Sequence, residues 1–233
     1  MFKVNGTVLE NVKFNGVDLD KALVNGVIVF EKVKFNNTVT MRTLQDNIRL
    51  LVRTKDRSSC EVWNAGNKIG VLNHGQSTHI SIPNKNEAVI IKGKDITSLD
   101  CSYLQLTSLN VQGLNNLQYL YCYGNQLTSL NVQGLTALQV LNCPSNQLTS
   151  LNVQGLPVLQ SFYCYSNQLS AQAFKEIFNS LLQTENGKAV VCYDNDHNYK
   201  DFTRPPKLVE AFNGAKARGW KFYKNDVDDK FLL

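Results

Sequence analysis

The strongest constraint on the fold is a 21-residue repeat in the middle of the chain. The copy NQLTSLNVQGLTALQVLNCPS begins at Asn125, NQLTSLNVQGLPVLQSFYCYS begins at Asn146, and a last, interrupted copy begins at Asn167. A less regular copy precedes them and has Leu104 where the others have asparagine. Such a fixed period is typical of proteins in which each unit buries its apolar side only by stacking on its neighbours. We therefore predict stacked parallel strands over residues 96–169.

The repeat has the pattern L-x-x-L-x-C-x-x-N-x-L. Two copies fill it completely, with Leu117, Leu120, Cys122, Asn125 and Leu127 and then with Leu138, Leu141, Cys143, Asn146 and Leu148. This pattern resembles the leucine-rich repeat family, in a short form often seen in bacterial and phage proteins. The resemblance covers about a third of the chain. It implies a solenoid whose strand-lined concave face binds a partner.

The cysteines follow the same period. Cys101, Cys122, Cys143 and Cys164 are 21 residues apart, and Cys192 is expected in the same register, with Asn195 at the place of the repeat asparagine. Free cysteine behaves as a small hydrophobic residue. No clustered pair has the spacing of a zinc site. We predict that these five cysteines form the structural core of the repeats, with no metal and no cofactor.

The first 36 residues contain a looser repeat with VNG at Val4 and Val24, FNG at Phe14 and FNN at Phe35. Asn-Gly supplies the positive φ angles of a two-residue hairpin turn. We predict a small antiparallel β-hairpin meander over residues 1–36. The segment VNGVIVFEK also resembles short modules that begin many phage and prophage structural proteins.

Residues 37–94 have turn signals between short apolar segments, which is typical of a β-sandwich. The six predicted strands are Thr38–Leu44, Ile48–Arg53, Ser59–Trp63, Lys68–Leu72, His79–Ile82 and Ala88–Lys92. The segment resembles the PKD-type immunoglobulin-like domains that precede leucine-rich repeats, with Trp63-Asn64-Ala65-Gly66 at the place of their W-G-D-G turn. An open stack of repeats exposes its core. We therefore expect this sandwich to cap the first repeat.

Residues 95–233 are assigned to the repeat domain, with longer α/β units and a C-terminal cap over residues 170–233. In this last part we predict helices at Ser170–Gln183 and Pro206–Arg218 and strands at Ala189–Tyr193 and Trp220–Tyr223. The predicted fold class is therefore mainly β, with α structure in the C-terminal part.

Strand side chains alternate, so every second residue of each repeat strand faces away from the core. Seven of the nine tyrosines in the chain fall at these places. The predicted concave-face binding residues are Tyr119, Tyr121, Tyr123, Asn142, Tyr163, Tyr165, Tyr193 and Tyr223. Neutral Tyr and Asn side chains suit a polar protein or glycan partner. The alternative is that the tyrosines only cover an exposed sheet by cross-strand pairing.

Composition excludes several classes of function. The net charge of +5 comes from scattered basic residues, which argues against nucleic-acid binding. No segment has the roughly 18 apolar residues of a membrane span. The sequence starts without a secretory leader, which favours a cytoplasmic or virion-associated protein.

The repeats contain no histidine, and Asp100 is their only charged residue. Acid–base catalysis needs such groups, so we expect a protein that is not an enzyme. Asp194, Asp196 and His197 leave hydrolysis as a remote possibility. Two functions remain: recognition of a protein or glycan, or a structural or adhesin component of a phage or prophage particle in which the repeats are a spacer.

Overall fold

The computed structural model describes residues 35–192 and 197–224, together with the backbone of six short strands among residues 2–31. This part of the chain is mainly β, and its two helices both lie toward the C-terminus. The expectation of a mainly β protein with C-terminal helices is therefore confirmed. The chain divides into two compact units, Met1–Phe35 and Asn36–Leu233.

The first unit contains three antiparallel hairpins. They are β1–β2 (Phe2–Val4 and Thr7–Leu9), β3–β4 (Lys13–Phe14 and Val17–Asp18) and β5–β6 (Lys21–Val24 and Val27–Glu31). Each pairs the residue before an Asn-Gly dipeptide with the residue after it, as the sequence predicts. The described strands form three separate sheets, not one meander. A two-residue turn fixes the pairing inside a hairpin, whereas the sequence has no Asn-Gly dipeptide between one hairpin and the next.

The second unit begins with six strands that match the predicted ones to within two residues at each end. They are β7 (Asn37–Thr43), β8 (Asn47–Thr54), β9 (Cys60–Asn64), β10 (Asn67–Leu72), β11 (Ser77–Ser81) and β12 (Val89–Gly93). β7 and β8 alternate between buried and more exposed residues, which is the pattern of a half-buried sheet.

The repeats and the segment after them supply seven strands and both helices. They are β13 (Ile96–Asp100), β14 (Leu106–Asn110), β15 (Tyr119–Tyr121), β16 (Val140–Asn142), β17 (Ser161–Tyr163), α1 (Ala171–Ser180), β18 (Gly187–Cys192), α2 (Pro206–Ala217) and β19 (Trp220–Lys224). Helix α1 begins at the predicted N-cap, because the Ala173 N–H donates to Ser170 Oγ. Helix α2 begins at Pro206, where the missing N–H is tolerated.

Two sheets enclose the core of the second unit. The eight-stranded sheet has the order β11-β8-β13-β15-β16-β17-β18-β19, and the five-stranded sheet has the order β10-β9-β12-β7-β14. From β13 to β19 neighbouring strands are parallel. Leu120 pairs with Leu141 and Leu141 pairs with Phe162, so the repeats are aligned at their own period.

Both sheets continue across the boundary predicted between residues 94 and 95. β8 pairs antiparallel with β13, where Val52 lies opposite Leu99. β7 pairs antiparallel with β14, where Met41 lies opposite Leu109. The first repeat is therefore covered by strands that share its backbone hydrogen bonds, and the described residues of the second unit have one continuous core from Val39 to Phe222.

Four cysteines form the expected ladder in this core. Cys101, Cys122, Cys143 and Cys164 are buried and form no disulfide, and the Cys143 N–H donates to Tyr163 O of the next repeat at 3.0 Å. Burial raises the pKa of the Cys122 thiol to about 12 and also raises those of Cys101 and Cys143. These thiols are neutral, apolar packing groups at ordinary pH.

The register predicted for the fifth cysteine is wrong by one residue. Cys192 is buried, but the Cys164 N–H donates to Val190 O, so Val191 follows Cys164 in the ladder. The predicted outward residues Ala189 and Val191 are correspondingly buried. Since β18 is buried from Ala189 to Cys192, its sequence does not alternate, and alternation cannot fix its register.

Candidate functional site

The repeat asparagines hold the strands at a constant spacing. Asn146 Oδ1 accepts from Leu127 N at 3.0 Å, and its Nδ2 donates to Cys122 O at 3.0 Å and to Cys143 O at 3.2 Å. Asn125 and Asn167 form the equivalent bonds one repeat earlier and later. These side chains therefore satisfy buried backbone groups of the repeats.

Asn198, and not Asn195, takes this role in the fifth unit. Asn198 Oδ1 accepts from Leu169 N at 2.9 Å, and Nδ2 donates to Cys164 O at 2.9 Å and to Val191 O at 2.8 Å. The segment between β18 and Asn198 is longer than in a regular repeat, so the repeat period does not locate this asparagine. Asn195 lies outside the described residues.

The tyrosines that follow the alternation share one face of the eight-stranded sheet. Tyr121 of β15, Asn142 of β16 and Tyr163 of β17 are consecutive partners in the parallel pairing, in the predicted order. All three are partly exposed, whereas the residues between them in the strands are fully buried. We call the outward side of β15–β17, with Tyr123 and Tyr165 just beyond the strands, the tyrosine face. Tyr223 continues it on β19, and Tyr193 lies outside the described residues.

A hollow of about 390 Å³, the tyrosine cleft, lies on this face. Its lining includes four tyrosines together with Asn142 and Pro144. It brings together four of the predicted site residues: Tyr121, Tyr123, Asn142 and Tyr165. Tyr119 lies beside it, where its hydroxyl donates to Gln139 Oε1 at 3.2 Å.

Tyr103 is a site residue that the sequence analysis missed. It is 67% exposed, lines the tyrosine cleft, and meets Tyr123 edge to face with ring centroids 4.8 Å apart. The backbone of Tyr103 is left-handed, with a φ of 57°. Gly124, one repeat later, is also left-handed, with a φ of 66°. A Cβ on Gly124 would lie 2.3 Å from Tyr103 Cδ1, so the glycine makes room for the ring. In the sequence, the alignment of Tyr103 with Gly124 could have indicated this site residue, because glycine readily adopts the same left-handed backbone.

A second hollow, the arginine cleft, adjoins the first and has a volume of about 440 Å³. β8 and β11 supply Arg49 and His79, which are cross-strand partners, and Arg49 Nε donates to Ser77 Oγ at 2.5 Å. Asp100, Tyr103 and Tyr123 line both clefts. The tyrosine face therefore extends onto strands that precede the repeats.

Cationic side chains lie at both ends of this extended face. Arg53 is opposite Ser98, and Arg49 is on the same side of β8, four residues earlier. At the other end Lys188 pairs with Lys221, and Lys188 Nζ lies 5.2 Å from the centroid of the Tyr223 ring. Among the described residues neither arginine has a carboxylate partner.

The centre of the face is less polar than its ends. Desolvation raises the pKa of the Tyr121 hydroxyl, the neighbouring Tyr119 and Asp100 reinforce the rise, and Arg53 opposes it. Asn142 Oδ1 and Ser102 Oγ are enclosed and have no hydrogen-bond partner among the described residues. A buried polar atom without a hydrogen-bond partner costs free energy, so the packing of the face leaves these two polar groups unsatisfied.

The other candidate sites contain fewer groups that could bind or react with a ligand. A hollow of about 480 Å³ beside α1 contains one ionisable residue, Glu176, which accepts from Gln172 Nε2. His74 Nδ1 accepts from Thr54 N at 3.1 Å, so its role is structural. His197 is exposed, and Asp194 and Asp196 lie outside the described residues. Residues 35–192 and 197–224 contain no group of three His, Cys, Asp or Glu side chains placed to bind a metal ion.

Comparison with known proteins gives no match to a protein-family model, to a curated protein or to a solved structure. Within the described residues, neither helix has the length and apolar character that a membrane crossing requires.

Proposed function

We propose that this protein is a non-catalytic recognition protein of the leucine-rich repeat type, in which a solenoid presents a concave, tyrosine-lined surface to a protein or glycan. A PKD-like β-sandwich caps the solenoid at its amino-terminal end. The observation that carries the proposal is the tyrosine cleft, where residues from different repeats line one hollow. Tyrosine offers a large, rigid contact area and a hydroxyl at small entropic cost.

The cleft also supports binding over catalysis. Its one carboxylate, Asp100, is accompanied by phenol, amide and hydroxyl groups, with no second acid and no nucleophile activated by a base among the described residues. Tyrosines that only cover a sheet would pack in cross-strand pairs. Here Asn142 separates Tyr121 from Tyr163 in the pairing, and Tyr121 lines the tyrosine cleft.

The proposal is tested by replacing Tyr121, Tyr163 and Tyr165 together with alanine. The wild type and the variant are compared on a glycan array and in quantitative pull-downs, with thermal unfolding as the measure of folding. We expect the tyrosine variant to lose the partners of the wild type, because their aromatic contact area is removed.

The matched control truncates three exposed apolar residues away from the face: Val71, Val158 and Leu182 to alanine. This control should bind as the wild type does. Equal binding by the tyrosine variant and the control would refute the assignment of the site.

The second candidate function is a structural or adhesin component of a phage or prophage particle, with the repeats as a spacer. The segment VNGVIVFEK of the third hairpin favours it, because it resembles short modules that begin such proteins. A spacer does not need its tyrosines, so it predicts that the tyrosine variant retains all interactions.

A further inference from the structure

The charges on the extended face distinguish between possible partners. Among the described residues, Arg49 and Arg53 lie beyond one end of the tyrosines, and Lys188 and Lys221 lie beyond the other. Asp100 is the only carboxylate between them in the described strands. The ends therefore attract anionic groups, although the centre is almost neutral.

The spacing of the strands gives the length of such a partner. Six strand-to-strand steps separate β8 from β19 in the sheet order. At about 4.8 Å per step, the arginines and Lys221 are roughly 29 Å apart. A single small anion cannot reach both ends, whereas an extended chain with several anionic groups can.

The uncharged groups of the two clefts favour a partner rich in hydroxyl groups. The lining of the clefts combines Asn142, Ser102 and four tyrosines with one carboxylate, that of Asp100. A sugar chain offers hydroxyls on every unit to such amide, hydroxyl and phenol groups, and its ring faces can lie on tyrosine rings.

We infer that the partner is an acidic polysaccharide, whose carboxylates bind Arg49 and Arg53 at one end and Lys221 at the other, and whose sugar rings occupy the tyrosine cleft. The guanidinium groups suit this role because their planar donors match carboxylate geometry. The arginine cleft adjoins the tyrosine cleft, so one chain can cross both. This inference rests on the proposed function and names the ligand class of the same site.

The test measures the affinity of the full-length protein for short oligogalacturonides and oligoglucuronides and for their methyl esters. Esterification removes the charge but keeps the ring and most hydroxyls. We expect the acid forms of at least one of these sugars to bind at least about tenfold more tightly than the esters, because hydrogen bonds between a guanidinium and a carboxylate are stronger than those to a neutral ester. A glutamate oligopeptide of similar charge serves as the peptide probe and should bind more weakly.

Two variants with equal charge change locate the binding site. Arg49→Gln with Arg53→Gln should lower the affinity for the acid sugar by about tenfold or more and reduce its salt dependence. Lys175→Gln with Lys207→Gln, on the helices, is the matched control and should leave affinity unchanged.

Three results would overturn the inference: no wild-type affinity for any of these acid sugars, equal binding of acid and ester, or equal behaviour of the arginine variant and its control. Binding of the glutamate peptide more tightly than the acid sugars would also overturn the inference, because the partner would then be an acidic protein segment. The proposed function has its own test. It is wrong if the partners of the wild type still bind the variant in which Tyr121, Tyr163 and Tyr165 are replaced by alanine.

Discussion

The side chain of each repeat asparagine bonds to backbone groups that the tight turn leaves without a backbone partner. Asn146 bonds to one N–H and three carbonyl groups in its own and the preceding repeat. It is 8% exposed, so water cannot satisfy these groups if the side chain is removed. Asn152 makes a different, local bond, in which Oδ1 accepts from Gln154 N on the surface.

We predict that Asn146→Leu lowers the free energy of unfolding by about 3 kcal/mol or more, because several buried backbone groups lose their partners. Asn152→Ala, the matched surface control, should cost about 1 kcal/mol or less. Urea-induced unfolding of both variants checks the difference. Similar losses in the two variants would show that the buried asparagine does not stabilise the stack.

The strands were predictable where apolar and polar residues alternate, and not where both faces are buried. β7–β9, β11, β12 and β15–β17 agree with the sequence because each has one buried side. β18 is buried on both sides near its end, and there the expected register of Cys192 was wrong. The sequence did not identify Arg49 and Arg53 as site residues, because no local pattern shows which earlier strand pairs with the first repeat.

The buried cysteine thiols make the free energy of unfolding depend on pH in the alkaline range. Burial is the main cause that raises the pKa of Cys122 to about 12 and that of Cys60 to about 11. In the unfolded chain a thiol titrates near its ordinary pKa of 9.0. Between these values the unfolded state releases protons that the folded state retains, so stability decreases as pH rises.

We predict that the free energy of unfolding falls above pH 9 by about 1.4 kcal/mol per pH unit for each fully buried thiol. Replacing Cys122 and Cys143 by alanine should make this slope shallower, although the variant is less stable at pH 7. Urea midpoints of both proteins from pH 7 to about pH 10 provide the comparison. Parallel curves would contradict the assignment of the slope to these thiols.

At the scale of the whole second unit, one set of pairings explains both the core and the candidate site. The antiparallel strands β8 and β11 and the parallel strands from β13 to β19 form a single sheet. Its inner side carries the leucines and cysteines, and its outer side carries the tyrosine face with cations beyond both ends. The site therefore depends on the alignment of repeats at their own period, since a slip of one residue would turn the tyrosines inward.

A disulfide trap measures this alignment most directly. Residues 121 and 142 are direct partners on neighbouring parallel strands, at a separation that a disulfide can bridge. We expect Tyr121→Cys combined with Asn142→Cys to cross-link readily under mild oxidation, with the bond mapped by mass spectrometry. The offset pair, Tyr121→Cys with Val140→Cys, should cross-link poorly, because residue 140 is the partner of residue 119. Preferential cross-linking of the offset pair would contradict the register and, with it, the tyrosine face.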